Sequence, residues 1–335
     1  MNLYTSPDFV GQHANFPITS SHNTGGVSTK MTAVSNALNC KVITSLDGMQ
    51  GDLVIEPLVV KAPRDTPEEL KLGGDWEKLR EIERGRIEEI AAYPYRKILL
   101  CSEMEFLRWL PDMQESMIKA VNNKVFASCL YQKKLFETVG VEAKVIYEPI
   151  NEKLFYPSFK KKKQIVAIGS VKHIKGIERV IEFFKKLEGL GYHRVYVGSA
   201  GWSGKEHRDK ERNYDIKLYN ELKEVCDEFH EASPMTFVAR ILSESQFYVN
   251  FAFHEVCCRT AMEALMAGVG VIGGNHTLWN EYPVLARRRN LDACIEILEA
   301  SSGVDTIPNK VRAWAVQNFS FPRFKNAVER EFYDY

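Results

Sequence analysis

The stretch Ile165-Val-Ala-Ile168-Gly169-Ser170-Val-Lys172-His-Ile-Lys175-Gly176, continued by Ile177-Glu-Arg-Val-Ile-Glu-Phe-Phe-Lys-Lys-Leu-Glu-Gly-Leu190, decides the fold class. Residues 165–168 are all apolar and end on a glycine, which reads as a strand buried on both faces. Apolar residues then recur at 177, 180, 181, 184 and 187, the helical period, so a helix is expected over Ile177–Leu190. A glycine turn between strand and helix lets backbone approach a phosphate. The helix start behind it offers unpaired N–H groups and the positive end of a dipole. Lys175 adds a full charge there. The GxxxxGK[ST] spacing of a Walker loop is absent. Taken alone, the turn has a plain alternative: a surface lysine ahead of a helix.

Outward from this stretch the pattern repeats. Strands are expected at Arg194–Val197, Glu228–His230, Phe247–Phe253 and Val269–Ile272. Helices are expected at Tyr214–Cys226, Met235–Leu242 and Thr260–Ala267. Strands alternating with helices imply a parallel sheet with right-handed crossovers. On the N-terminal side the alternation is looser. Asn2–Thr5, Lys41–Thr44, Asp52–Ile55, Lys97–Cys101, Val125–Ser128 and Lys144–Tyr147 read as strands. A helix opens after Gly25-Gly26 and runs through Leu38, and others are expected at Trp76–Ala92, Phe106–Ala120 and Leu130–Val139. Tyr156–Lys163, with Pro157 and four consecutive lysines, reads as a solvated linker. Two Rossmann-like domains follow, 1–157 and 158–320. Ligands of such sheets sit at the carboxyl ends of the strands and, in tandem pairs, in the cleft between domains.

The bulk properties agree. The chain has 335 residues, which at about 150 per domain is two domains. Its 44 basic and 44 acidic side chains cancel, so it is not an obvious polyanion binder, although local basic patches remain open. The basic clusters are Lys133-Lys134, Lys160–Lys163 and Arg287–Arg289, all expected on solvated faces, with Arg287–Arg289 the best placed for a polyanion. The 45% apolar content is that of a chain that forms a core. Seven cysteines, an odd number without CxxC, argue against a disulfide framework and common zinc patterns, and reduced thiols are expected. No basic region followed by an apolar run marks a secretory signal. Residues 9–29 lack charge but are rich in Ser, Thr, Asn, Gln and His, so they would not partition into lipid. A cytoplasmic chain without a membrane span is expected.

The second informative segment is Phe251-Ala-Phe-His254-Glu255-Val-Cys257-Cys258-Arg259-Thr-Ala-Met-Glu263-Ala-Leu-Met-Ala-Gly268. Glu255 falls just past a strand and Glu263 in the first turns of a helix. Carboxylates placed there can accept hydrogen bonds from sugar hydroxyls, as an acidic residue holds ribose in dinucleotide folds. The plain alternative is that either Glu caps the helix or pairs with Arg259. Together with the Lys175 turn, the segment resembles the retaining glycosyltransferases of family 4. That family has a Gly-Arg-Leu-x(3)-Lys-Gly turn, a Glu-x(7)-Glu element and an Ala-x-Gly-x-Pro-Val-Ile strand. Gly169…Lys175-Gly176, Glu255…Glu263 and Ala267-Gly-Val-Gly-Val-Ile272 correspond here. Lys144-Val-Ile-Tyr-Glu-Pro-Ile-Asn-Glu-Lys-Leu-Phe-Tyr-Pro157 looks like the segment that ends the family's first domain, and Gly25-Gly26 resembles the glycine pair after its first strand.

The resemblance implies an α/β GT-B fold, with an acceptor domain, a nucleotide-sugar domain and a C-terminal helix, 321–335, that returns to the first domain. It implies a nucleotide-diphosphate sugar as co-substrate, UDP-sugar favoured, and neither cofactor nor metal, because fixed positive groups replace a divalent ion. Lys175 would stabilise the diphosphate, Glu263 hold the ribose and Glu255 contact the donor sugar. Backbone near Phe229–Pro234 would face the base, and Gly26 would admit backbone to phosphates or sugar. Two departures stand out. The family's Arg is Ser170 here, so Lys172 or Arg259 is the expected substitute charge. The family's His after a late N-terminal strand is replaced by Ser102-Glu103-Met-Glu105. A carboxylate there resembles certain inverting phage DNA glucosyltransferases, which makes Glu103 the candidate general base and leaves inverting and retaining outcomes open. Its plain reading is an acid at a helix start. His22 and His13 lie in the polar N-terminal loop as candidate acceptor contacts, and His254 beside Glu255 as a donor-site contact. The acceptor is expected to be a glycan, a small molecule or DNA. The alternatives are a DNA-base glycosyltransferase and a GT-B-like binding protein without catalysis. A dehydrogenase is disfavoured by the missing GxGxxG.

Overall fold

The computed structural model describes residues 1–4, 33–43, 45–55, 76–101, 111–199, 209–231, 233–253, 257–273, 282–283, 285–287, 290–301 and 306–333. The described chain divides into two compact units. The first runs to Glu148 and takes in Phe324 onward; the second is Pro149–Arg323.

The first unit holds one parallel sheet of strands β1 (Asn2–Tyr4), β2 (Lys41–Ile43), β3 (Leu53–Ile55), β4 (Lys97–Cys101), β5 (Val125–Ala127) and β6 (Lys144–Val145), in the order β2-β1-β3-β4-β5-β6. The apolar runs Leu53-Val-Ile55 and Ile98-Leu-Leu-Cys101 are buried throughout, as inner strands of a covered sheet must be. Helices α1 (Trp76–Ala92), α2 (Pro111–Ala120) and α3 (Leu130–Thr138) accompany it. Lys97 opens β4 with its ammonium turned inward. It donates to the carbonyls of Ile90 (3.0 Å), Ala91 (3.3 Å) and Tyr93 (2.8 Å) and so closes the carboxyl end of α1. A cation suits that negative dipole end, and burial holds its pKa below the usual lysine range.

The second unit has β7 (Lys162–Ile168), β8 (His193–Val197), β9 (Glu228–His230), β10 (Ser245–Asn250), β11 (Gly270–Gly273) and β12 (Ala286–Arg287), all parallel, in the order β12-β11-β10-β7-β8-β9. Strand β7 is central. The chain moves from it to β8 and β9 on one side and later to β10 on the other. The sheet therefore has its switch point between β7 and β10, where open parallel sheets bind ligands. Helices α4 (Ile177–Lys186), α5 (Asp209–Val225), α6 (Met235–Glu244), α7 (Arg259–Met266), α8 (Leu291–Ser301) and α9 (Thr306–Phe319) complete the unit. Helix α4 buries Ile177, Val180, Ile181, Phe183 and Phe184 against Ile165, Ala167, Val249 and Phe251. The last helix, α10 (Phe321–Tyr333), gives Phe324, Val328 and Phe332 to burial. Lys124 donates to the Glu331 carbonyl (2.6 Å) and Lys144 pairs with its carboxylate (2.8 Å).

Several expected boundaries differ. Strand β10 stops at Asn250 rather than Phe253, because the Asn250 side chain takes the Ala252 N–H (2.8 Å) and turns the chain out of the sheet. Helix α4 ends at Lys186 rather than Leu190; Gly189 and Gly191 then adopt left-handed φ of +80° and +72°. The lysine run is not wholly a solvated linker. Lys162 and Lys163 open β7, and Lys161 donates to the Ala267 carbonyl (2.8 Å). Strand β12 and helices α8 and α9 were not expected from the sequence.

Candidate functional site

The site is built where β7 and β10 end. Gly169 follows β7 with φ +155° and its N–H donates to the Val197 carbonyl (3.0 Å). Val171 N–H donates to the Ser199 carbonyl (3.0 Å), so the turn is laced to the end of β8. A short 3-10 turn, His173–Lys175, follows, closed by Lys175 N–H on the Lys172 carbonyl (2.9 Å) and Gly176 N–H on that of His173 (2.8 Å). Gly176 then starts α4 in the left-handed region, φ +65°.

Two glycines make this geometry possible. A Cβ on Gly176 would lie 2.0 Å from the Phe251 carbonyl oxygen, so only hydrogen fits where the β7 turn meets the end of β10. A Cβ on Gly198, at the end of β8, would lie 1.7 Å from the Gly169 carbonyl oxygen. That oxygen also accepts the Tyr196 hydroxyl (2.8 Å), and burial pushes the phenol pKa up, so Tyr196 stays a neutral donor. Nothing local in the sequence marks Gly198, which follows a different strand from the turn it supports. Its sequence signal, a glycine ending the neighbouring strand, means something only once β7 and β8 are paired.

A cavity of about 60 Å³ opens here, lined by Gly169, Lys175, Tyr196, Asn250 and Thr260 among others. Ligand sites typically run to roughly 300–1,000 Å³, so this cavity alone is too small to enclose a nucleotide. Gly169 and Lys175 are thus brought together, beside Thr260 on the first turn of α7. Ser170 and Lys172 belong to the same turn, but neither lines the cavity.

Arg259 and Glu263, one turn apart on α7, form an ion pair, Nε to Oε1 3.0 Å, with side chains 15% and 4% exposed. The Arg259 Nη2 also reaches the Pro149 carbonyl (3.4 Å). The pairing weighed as the plain alternative for Glu263 is therefore present, and Arg259 directs its Nε at this carboxylate. At the other end of α7, Arg312 from α9 donates to the carbonyls of Met266, Phe155 (2.8 Å) and Glu152 (3.1 Å), and Lys161 to that of Ala267. Two basic side chains thus cap the last carbonyls of the helix whose start faces the site. Burial lowers the Lys161 pKa to about 7.

In the segment expected to face a base, Phe229 stacks on Tyr196 with centroids 5.5 Å apart, and His230 Nε2 lies 2.9 Å from Glu228. Gly26, His13, His22, Glu103, His254 and Glu255 lie outside the described residues, as do Arg288 and Arg289. Arg287 sits in β12. Among the described residues no helix is long and apolar enough to cross a membrane. Asn250 was not anticipated: nothing in the sequence distinguishes a polar residue at a strand end from a solvated one.

No protein-family model matches the chain, and no curated protein matches it in sequence. Solved structures do match it along nearly their whole length. HepE from Anabaena, solved with UDP and glucose and with UDP-glucose, superposes with a TM-score of 0.64 at 11% identity, covering 99% of each chain. Sucrose-phosphate synthase from Thermosynechococcus elongatus gives 0.63 at 14% identity, covering 99% of this chain and 98% of that one. A glycosyltransferase from Rickettsia africae gives 0.62 at 15% identity, covering 99% and 97%. The two parallel sheets with flanking helices have the α/β GT-B fold of these proteins.

Proposed function

We propose that the chain is a GT-B glycosyltransferase of the family 4 type that moves a sugar from a nucleotide-diphosphate sugar, UDP-sugar favoured, to an acceptor hydroxyl. The observation that carries the reading is Lys175, held on a glycine-bounded turn at the switch point of the second sheet and lining one cavity with Thr260 at the start of α7. Breaking a sugar–phosphate bond builds negative charge on the departing diphosphate. A fixed ammonium and the positive end of a helix lower the energy of that charge without a metal ion. In this reading Lys175 meets the diphosphate and Glu263, ion-paired with Arg259, accepts from ribose hydroxyls. Glu255 contacts the donor sugar, Gly26 admits backbone to the phosphates, and Glu103 takes the acceptor proton. His22 lies on the acceptor side. The Anabaena neighbour's UDP-glucose supports the choice of UDP. The acceptor is proposed to be a soluble or polymeric hydroxyl compound, and the place of work the cytoplasm, where its seven thiols stay reduced.

The test is thermal unfolding with UDP-, GDP- and ADP-sugars, followed by Lys175→Ala. A ligand at 100 times its Kd stabilises the folded state by roughly 2.7 kcal/mol. One nucleotide series is expected to raise the Tm of the wild-type chain. Lys175→Ala is expected to weaken binding at least tenfold and abolish release of the nucleoside diphosphate. No shift with any nucleotide sugar would overturn the reading.

A further inference from the structure

We propose that Asn250 is a positioning residue that holds the Lys175 turn and the start of α7 in register, so that both address one diphosphate; the inference rests on the reading above. Asn250 ends β10, and both atoms of its amide are engaged. Its Oδ1 accepts the Ala252 N–H (2.8 Å), and its Nδ2 donates to Cys258 Sγ (3.2 Å) and reaches the Tyr248 hydroxyl (3.1 Å). Cys258 is the residue that precedes the first turn of α7. One side chain therefore ties the chain leaving the strand to the chain entering the helix. Tyr248 and Cys258 are buried, which makes this small network costly to disrupt.

The segment Asn250 secures is also the one that carries the Lys175 turn. On one side of Ala252, the Phe251 carbonyl abuts Gly176 with no room for a Cβ. On the other side, Phe253 N–H donates to the Ile174 carbonyl (3.0 Å), and the Phe253 ring rests 5.0 Å from that of His173. His173 is itself bonded to Glu178 of α4. Ile174, Lys175 and Gly176 are consecutive, so a shift at residues 251–253 moves the ammonium. A shift at Cys258 moves Thr260 and the N–H groups of α7. Asn250 touches both segments and lines the cavity between them, but its polar atoms are spent on protein partners. It acts through Lys175 and α7, not on substrate directly.

This assignment separates from a general structural role by which ligand is affected. A nucleoside diphosphate uses Lys175 and the N–H groups at the start of α7; the matching nucleoside keeps its ribose contact to Glu263, one turn further along that helix, but lacks the phosphates. Affinities for UDP and uridine, GDP and guanosine, and ADP and adenosine are measured on the wild-type chain, and the pair that binds is carried forward. In Asn250→Ala the diphosphate is expected to weaken about tenfold or more, the nucleoside to stay within about twofold, and kcat to fall with diphosphate affinity. Asn250→Ser keeps a neutral acceptor near the Ala252 N–H but loses the amide donor to Cys258, and adds no charge beside the diphosphate. It provides a variant with the loop start intact if alanine does not fold, and is expected to show the same selective loss. Equal weakening of diphosphate and nucleoside, or no weakening of either, overturns the positioning role while leaving the glycosyltransferase reading intact. A wild-type chain that binds no diphosphate more tightly than its nucleoside overturns both.

Discussion

Replacing Gly176 by alanine tests the packing on which the Lys175 turn depends. Gly176 has φ +65°, where an L-residue costs about 1 kcal/mol relative to glycine. The new methyl carbon would also sit 2.0 Å from the Phe251 carbonyl oxygen, 2.6 Å from its carbon and 3.2 Å from Ala252 N. All three are backbone atoms, so no side chain can swing aside. Ordinary contact begins near 3.4 Å, so one backbone must retreat by about 1.4 Å. Overpacking of this kind costs roughly 1–3 kcal/mol. The total is roughly 2–4 kcal/mol, which for a unit of this size lowers Tm by about 4–16 °C. Gly189 supplies the control. It lies in the same unit with φ +80° and has open space where a Cβ would go. Gly189→Ala is expected to cost only the conformational part, about 1 kcal/mol. The two variants are compared by thermal unfolding followed by circular dichroism, with nucleoside diphosphate affinity measured on each. Gly176→Ala should lose both stability and affinity, and Gly189→Ala should keep its affinity. Equal Tm values for the two would refute the close-approach argument.

Two further outcomes follow from other contacts. Lys161 has its pKa lowered to about 7 by burial, while the unfolded chain titrates near 10.5. Its contribution to stability is therefore complete above about pH 10.5, declines as pH falls, and is lost through about pH 7. Lys161→Met should remove that slope, and urea midpoints that change in parallel for both proteins between pH 7 and 10 would count against it. Arg259→Gln removes the cation from the nearly buried Glu263 carboxylate and is expected to cost roughly 3 kcal/mol. Adding Glu263→Gln should restore part of this, since the uncompensated charge is gone. Strict additivity in a double-mutant cycle would show that the pair does not couple.

The legible parts of the chain were those whose local pattern agrees with their tertiary surroundings. Ile165–Ile168 and the apolar positions of α4 announce themselves by period, and the glycines at 169 and 176 by their place between strand and helix. Strand β10 overran in the sequence reading because Phe251, Ala252 and Phe253 continue an apolar run. A hydrogen bond from Ala252 to the Asn250 side chain, which no periodicity encodes, ends the strand early. Lys161 reads as part of a solvated linker and Lys97 only as the first residue of a strand. Each instead closes the carboxyl end of a helix, a role set by carbonyls distant in the fold. Gly198 acts through the turn after the neighbouring strand and Asn250 through the residue before α7, so their importance appears only with the fold. For Glu263 the sequence left two readings, and the structure brings Arg259 to it without removing it from the site's helix.

The path of the chain through its two units bears on how the protein is made. The second unit, Pro149–Arg323, is one continuous insertion into the described part of the first, which is finished only by the residues from Phe324 onward. On a ribosome, the unit that begins first therefore closes last. Until the end of α10 emerges, the sites of Phe324, Val328 and Phe332 are unfilled, and Lys124 and Lys144 lack the Glu331 contacts they make in the finished fold. The inserted unit has no such wait, since its whole sheet lies within one uninterrupted run of sequence. A stop codon or a protease cut just before Phe324 would thus damage the unit whose strands were made first.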